Sequence, residues 1–311
     1  MAGARRAQGS TEPSSTLSPD VAVVLAHALV GAAAAAAGTR ALVIKGPAAG
    51  IMRLRSERSS ADVDVLVPVR DHEAFCAALR ARGWHALRFR EPPRILADHS
   101  LTLTHDEWPC AIDVHHYFPG FLGDADEVFE ALWASRVSIG FAHRSVSAPS
   151  RAGSAVILAL HALRTPTEGR AGRDLDDLQQ VLYETFDGDE RAELLRIARI
   201  GRAQWTLGPL LDGLGWARDD DADPEEQRIW AENQRDPRLK SASLWGEEIR
   251  SALRGGRLGR VIRAFWVRRA DMPSALEHER PTIRAHWAYQ IERWRRGIDA
   301  LRSARAERRR G

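Results

Sequence analysis

Two aspartates lie two residues apart in an otherwise apolar run, Ser59-Ser60-Ala61-Asp62-Val63-Asp64-Val65-Leu66-Val67. Side chains along an extended strand alternate between its faces. Ala61, Val63, Val65 and Val67 therefore form one apolar face, and Asp62 and Asp64 share the other. Two carboxylates this close repel each other unless a cation lies between them. A hard divalent ion such as Mg²⁺ takes oxygen ligands of this kind. Two such ions roughly 3.5–4 Å apart can hold both the attacking and the leaving oxygen of a phosphoryl transfer. A third acid comes from Ala111-Ile112-Asp113-Val114-His115. Asp113 could complete the site as a ligand or as the base that takes an acceptor's proton. His115 falls on the same face, where it could bond a phosphate or orient the acceptor.

Upstream, Lys45-Gly46-Pro47 reads as a turn from strand to helix. Such a turn offers backbone N–H groups to an anion, and glycine lets the backbone approach a phosphate closely. Lys45 could neutralise the β or γ charge. Arg53, Arg55 and Arg58 follow within reach of a triphosphate. Taken singly, each feature has an ordinary explanation: solvated acids, a core histidine, surface arginines. The signal is their order, with paired acids and then a third acid downstream of a Lys-Gly turn.

The elements that must position these residues are legible in outline. Ser18-Pro19-Asp20 starts a helix with a capping serine, a proline in the first turn and an acid at the positive end of the dipole. Gly38 closes that helix. Arg40 to Lys45 and Ala61 to Val67 read as strands, with a helix from Pro47 to about Leu54 between them. Asp71 to Arg82 reads as an amphipathic helix. Trp84 to Phe89 and His99 to Thr104 are weaker strands, Cys110 to Tyr117 is a strand, and Asp124 to Ala134 is a helix. From Ala152 onward only helices are expected: 155–163, 175–185, 190–201, 225–230, 244–253 and 284–306. The fold class is α+β, with a mixed sheet followed by an all-α region. The expected division is a disordered tail over 1–17, an α/β domain over 18–148 and a helical domain over 149–311, whose end is basic.

Leu42-Val-Ile-Lys-Gly-Pro-Ala48, Ser60-Ala-Asp62-Val-Asp64-Val-Leu-Val67 and Ile112-Asp113-Val-His115 together resemble a poorly characterised nucleotidyltransferase family of the DNA polymerase β superfamily. The likeness is strongest over residues 20–120 and extends more weakly through His161 and Arg173-Asp-Leu-Asp-Asp177. It implies a small nucleotidyltransferase fold, two Mg²⁺ ions (with Mn²⁺ as an alternative) and ATP or another nucleoside triphosphate. It also implies metal ligation by Asp62 and Asp64, with Asp113 as the third acid. The superfamily's more usual Gly-Ser is Lys45-Gly46 here, so Lys45 takes over the charge. Lys45, Gly46, Arg58, Ser60 and His115 are the candidates for holding the nucleotide. The reaction expected is transfer of a nucleoside monophosphate, AMP from ATP, to a small-molecule or peptide acceptor. The alternatives are a nucleotide- or partner-binding protein without turnover and a glycosyltransferase that uses Asp62-Val-Asp64 to hold a nucleotide-sugar.

Composition bounds these readings. The chain has 311 residues, 44% hydrophobic and 28% charged, with a net charge of only +3, as expected of a globular protein. Cys76 and Cys110 form no CxxC pair and no disulfide framework. Residues 21–38 are rich in alanine and carry His27, which favours a helix of a cytoplasmic protein over an export signal or a membrane span. His161 is expected on an apolar helix face with Val156, Ile157, Leu160 and Leu163, bonding a carboxylate such as Asp177. Trp287, Tyr289, Ile291 and Trp294, interleaved with arginines, are expected to pack on the domain rather than to bind nucleic acid.

Overall fold

The computed structural model describes residues 17–56, 58–86, 99–164, 169–219 and 222–234, with 282–284, 286–288, 290–291 and 294–295 beyond them. The chain runs α1 (Pro19–Ala37), β1 (Leu42–Ile44), α2 (Gly46–Ile51), β2 (Asp62–Leu66) and α3 (His72–Arg80). It continues through β3 (His85–Ala86), β4 (Ser100–His105), β5 (Trp108–His115), α4 (Ala125–Ala134), β6 (Val137–Phe141) and β7 (Arg144–Ala148). Helices follow: α5 (Arg151–Arg164), α6 (Gly169–Thr185), α7 (Gly188–Ile200), α8 (Gly208–Gly213) and α9 (Pro224–Gln234). The expected helix at 244–253, the N-terminal tail through residue 16 and the arginines at 308–310 lie outside the described residues.

Five strands form one sheet in the order β1-β2-β5-β4-β3. β2 and β5 are parallel, and the other neighbours are antiparallel. The sheet is therefore mixed and the chain is α+β. Local sequence accounts for the element ends. Ser18 holds the cap position of α1 in extended conformation, although its side chain makes no capping bond. Gly38 ends that helix in the left-handed region, φ 64°. α7 carries a full capping box between Asp187 and Glu190.

The strand alternation divides the core. Val63, Val65 and Val67 of β2, with Ile112 and Val114 of β5, pack into one cluster with α1, α3 and the β6–β7 hairpin. Leu42, Ile44 and Leu66 point to the other face and join a second cluster with Phe118, Val156, Ile157 and Leu160. That second cluster, which includes residues of α4 and α5, takes in Leu66 of β2. The acids at positions 62, 64 and 113 occupy the remainder of the same face.

The hairpin β6–β7 was not among the expected strands. Its turn places Ala142 at φ 45° and His143 at φ 61°. Two consecutive left-handed residues are what a tight hairpin needs, but Asn-Gly is its usual signature. β7 also crosses α1 so closely that a Cβ on Gly31 would lie 2.7 Å from Val146 Cγ1. The C-terminal helical positions differ from expectation too. Among the described residues there, His286 and Gln290, one helical turn apart, are buried, while Trp287, Ile291 and Trp294 are exposed; Tyr289 lies outside the described residues. The inward stripe runs through 286 and 290, so the tryptophans fall on the neighbouring stripe.

α1 is long and apolar enough to cross a membrane by length and composition. Here it packs on α3, β5 and β7 through Ala22, Val23, Ala26, Val30 and Ala33. Cys76 and Cys110 are buried and free, and burial pushes both thiols up to about 11, which makes them unreactive.

Inside α1, His27 is fully buried and stacks on Phe141, ring centroids 4.4 Å apart. Its Nδ1–H donates to Val23 O at 2.7 Å. Burial lowers its pKa in the fold. The unfolded chain therefore binds this proton more readily below about pH 6.5, and folding stability falls as the pH drops through that range. His27→Phe removes one such group. Urea unfolding midpoints between about pH 7 and pH 5 should fall less steeply in the variant than in the parent. An identical slope would show that His27 is not a contributor.

Candidate active site

Lys45 follows the last residue of β1 and caps α2, with φ 57° and ψ −142°. Gly46 follows at φ 43°. Two successive residues at positive φ fold the chain back sharply, and the Arg55 guanidinium holds the bend by donating to Gly46 O at 2.8 Å. A Cβ at Gly46 would meet Ser60 Oγ at 3.7 Å and His27 Nε2 at 3.9 Å, both ordinary contacts. The need for glycine is thus conformational rather than steric.

This bend delivers Lys45 to the sheet face. Ile44 pairs with Asp64 across the antiparallel β1–β2 ladder. The next residue, Lys45, places Nζ 2.6 Å from Asp64 Oδ1. The parallel β2–β5 register sets Asp64 directly beside Asp113 and Leu66 beside His115. His115 Nε2–H reaches back to donate to Asp64 Oδ1 at 2.8 Å. Asp62, at the start of β2, accepts from Ser60 Oγ at 3.2 Å. All three acids predicted from sequence therefore meet on one face, next to Lys45, Gly46, Ser60 and His115.

The electrostatics separate the two acids of β2. Burial works to raise the Asp64 pKa, but the His115 hydrogen bond and the Lys45 charge outweigh it and hold it at about 2. Asp62 moves the other way, raised by burial and then by the charges of Asp64 and Asp113. Asp113 Oδ1 and His115 Nδ1 are buried with no partner. One ligand atom each from Asp64, Asp113 and His115 lie within 4.8 Å of one another. A like-charge cluster with an orphaned carboxylate oxygen fits a divalent cation. The closest set replaces Asp62 with His115, and Asp62 adjoins it.

The predicted arginines divide. Arg58 makes a two-pronged pair with Asp174 of α6, at 2.6 and 2.9 Å, and so ties the sheet to the helices. Arg55 supports the bend, and Arg53 is exposed. Two further contacts were invisible in the sequence. Arg164 of α5 bonds His99 Nε2 at 3.1 Å, and the His99 ring lies 5.6 Å from that of His115. Phe118 sits 5.5 Å beneath Lys45 Nζ. His161 is exposed rather than packed on the apolar face of α5, and Asp177 is exposed as well. Nearly the whole circumference of α5 is enclosed, so its apolar pattern does not reveal which side is open.

A family model described as "uncharacterised nucleotidyltransferase" matches residues 25–212. That span takes in most of α1, the Lys-Gly bend, all three acids and the helices through most of α8. The chain belongs to this family. Among solved structures, it is similar to the antibiotic-resistance factor ANT(2'')-Ia in solution, at 16% identity and TM-score 0.39, covering 60% of this chain and 94% of that one. A crystal structure of ANT(2'')-Ia in complex with adenylyl-2''-tobramycin gives 15% identity and TM-score 0.36, covering 62% and 96%. An antigenic nucleotidyltransferase-like protein from Paracoccidioides brasiliensis gives 12% and 0.35, covering 63% and 94%. No curated protein matches the chain.

In this nucleotidyltransferase-family protein, Asp62 is the acid held against its like-charged neighbours. Like charges brought together on a sheet face are destabilising. Without added divalent cation, Asp62→Asn should therefore unfold at the same or higher denaturant concentration than the parent. With the cation present, the parent should gain stability that the variant does not. A large loss of stability in cation-free Asp62→Asn would contradict this account of the cluster.

Proposed function

We propose that the protein is a divalent-metal-dependent nucleotidyltransferase that moves AMP from ATP to a hydroxyl of a small-molecule or peptide acceptor. One observation carries this reading: Asp62, Asp64 and Asp113 converge on one sheet face beside a lysine presented by a left-handed bend. Membership of the nucleotidyltransferase family supports the reaction class.

Asp62, Asp64 and Asp113 would hold the metal, with the His115 imidazole beside them. When bound, Mg²⁺ or Mn²⁺ supplies charge neutralisation of the triphosphate and lowers the pKa of the acceptor hydroxyl. The remaining work falls to the chain. Lys45 Nζ has three donors and spends one on Asp64, which leaves two for phosphate oxygens. Gly46, without a side chain, lets the triphosphate approach the bend. Ser60 steadies Asp62, and His115 fixes the Asp64 carboxylate. The acceptor oxygen attacks the α-phosphorus in line, and the bond to the bridging oxygen breaks. The electron pair leaves on pyrophosphate. Asp113 would give one carboxylate oxygen to the cation and use the other to receive the hydroxyl proton. Positioning and fixed electrostatics supply most of the rate.

With ATP, Mg²⁺ and a panel of polyhydroxyl small molecules and peptides, label from the α-phosphate should pass to an acceptor, and label from the γ-phosphate should leave as pyrophosphate. Asp62→Asn and Asp64→Asn should each lower transfer by ~10²-fold or more while circular dichroism stays native. Transfer of the γ-phosphate, transfer of a sugar from a nucleotide-sugar, or nucleotide binding unchanged by Asp62→Asn with no turnover would each replace this reading.

A further inference from the structure

α5 is enclosed on almost every side. Ten of its fourteen residues are buried, three are partly buried, and one, His161, is exposed. His161 stands in the last turn of the helix, open to solvent. Contacts of the same turn locate what it faces. Arg164 lies one turn after His161 on the same side. It bonds His99, whose ring neighbours His115, and His115 bonds Asp64. The exposed side of α5 therefore looks onto the carboxylate centre. The charged groups that act on His161 are Lys45 from the bend, Asp64 from β2, Arg164 from α5 and Asp174 from α6. Solvent reaches the imidazole, yet it is hemmed in by protein. Partial desolvation first, and then the Lys45 charge, bring it down to about 4, so it is neutral near pH 7.

We propose that His161 contacts the triphosphate from the helical side of the cleft, opposite Lys45, and takes up one proton from solvent when the nucleotide binds. The proposal rests on the nucleotidyltransferase reading and names a phosphate contact that neither the paired acids nor the Lys-Gly bend supplies. The physical reason is charge. In the empty cleft, desolvation, Lys45 and Arg164 disfavour an imidazolium. Phosphate oxygens set against the ring would bring negative charge to it even with the divalent ions shared among the aspartates, so nucleotide binding would reverse the balance and make the protonated ring a charge-assisted donor. Imidazole is suited to this because its ordinary titration range lies near neutral pH.

The test is calorimetric titration of the full chain with α,β-methylene-ATP and Mg²⁺ in buffers of different ionisation heat, at about pH 6.5 and again at higher pH. The parent should take up protons on binding, and His161→Gln should take up measurably fewer. His161→Gln should bind about tenfold more weakly at the lower pH, with the gap narrowing as the pH rises. His161→Arg, charged throughout, should restore affinity without restoring proton uptake. A purely structural His161 would move none of these readings. Equal proton uptake and affinity in parent and His161→Gln, with binding still lost in Lys45→Met, would overturn the His161 contact and leave the nucleotidyltransferase reading standing. Failure of the parent to bind the nucleotide would overturn both.

Discussion

A carboxylate with only 8% of its side chain exposed must be charged in a place where charge is costly, and Asp64 meets that condition through Lys45 and His115. Burial of an unpaired ion is strongly unfavourable, while a pair with further hydrogen bonds can stand. The rest of the site follows from keeping this trio together. β1 must run antiparallel to β2 so that Lys45 leaves the strand beside Asp64. β5 must run parallel to β2 so that Asp113 and His115 arrive on the same face and at the right height. The bend at Lys45 and Gly46 must adopt positive φ so that the lysine turns back toward the sheet. A one-residue slip in either ladder would send the acids into the apolar cluster under α1 and the valines into the cleft.

The same arrangement explains why the face is open where it is. β2 alternates strictly, so one side of the sheet is apolar throughout and is covered by α1, α3 and the hairpin. The other side carries large apolar side chains at Leu42, Ile44 and Leu66, which share a cluster with residues of α5. Where the alternating positions become acids, no helix can be laid down without burying like charges. The sequence pattern thus divides this face into an apolar end and an acidic one. Two polar ties set its far wall, Arg58 with Asp174 and Arg164 with His99.

Much of this could be read before any coordinates. The acids announce themselves because a period of two on a strand has one physical meaning, and Lys45-Gly46-Pro47 announces a bend because glycine and proline restrict the backbone in known ways. The breaks at Ser18-Pro19 and Gly38 were readable for the same local reason. What escaped was whatever depends on partners far along the chain. The β6–β7 hairpin was hidden because Ala142 and His143 carry no turn signature. The fate of the arginines was hidden because the pairing of Arg58 with Asp174 spans 116 residues. The orientation of His161 was hidden because an enclosed helix is apolar all round, and periodicity then loses its power to point.

The distribution of positive charge bears on how the site treats an anion. Arginine greatly outnumbers lysine in this chain, yet the charge presented to Asp64 is a lysine. An arginine at position 45 would offer a rigid fork well matched to a carboxylate, and it would favour staying on Asp64. The ammonium of Lys45 is a compact point charge on a flexible stem, with donors left over after one is used. It can neutralise Asp64 in the empty protein and still turn toward a phosphate without breaking a planar, two-pronged bond. The arginines, by contrast, are placed where permanence is useful: Arg58 joins sheet to helix and Arg55 braces the bend. Rigid donors hold the frame and a mobile one stands beside Asp64, an allocation that suits the proposed entry and exit of a polyanion.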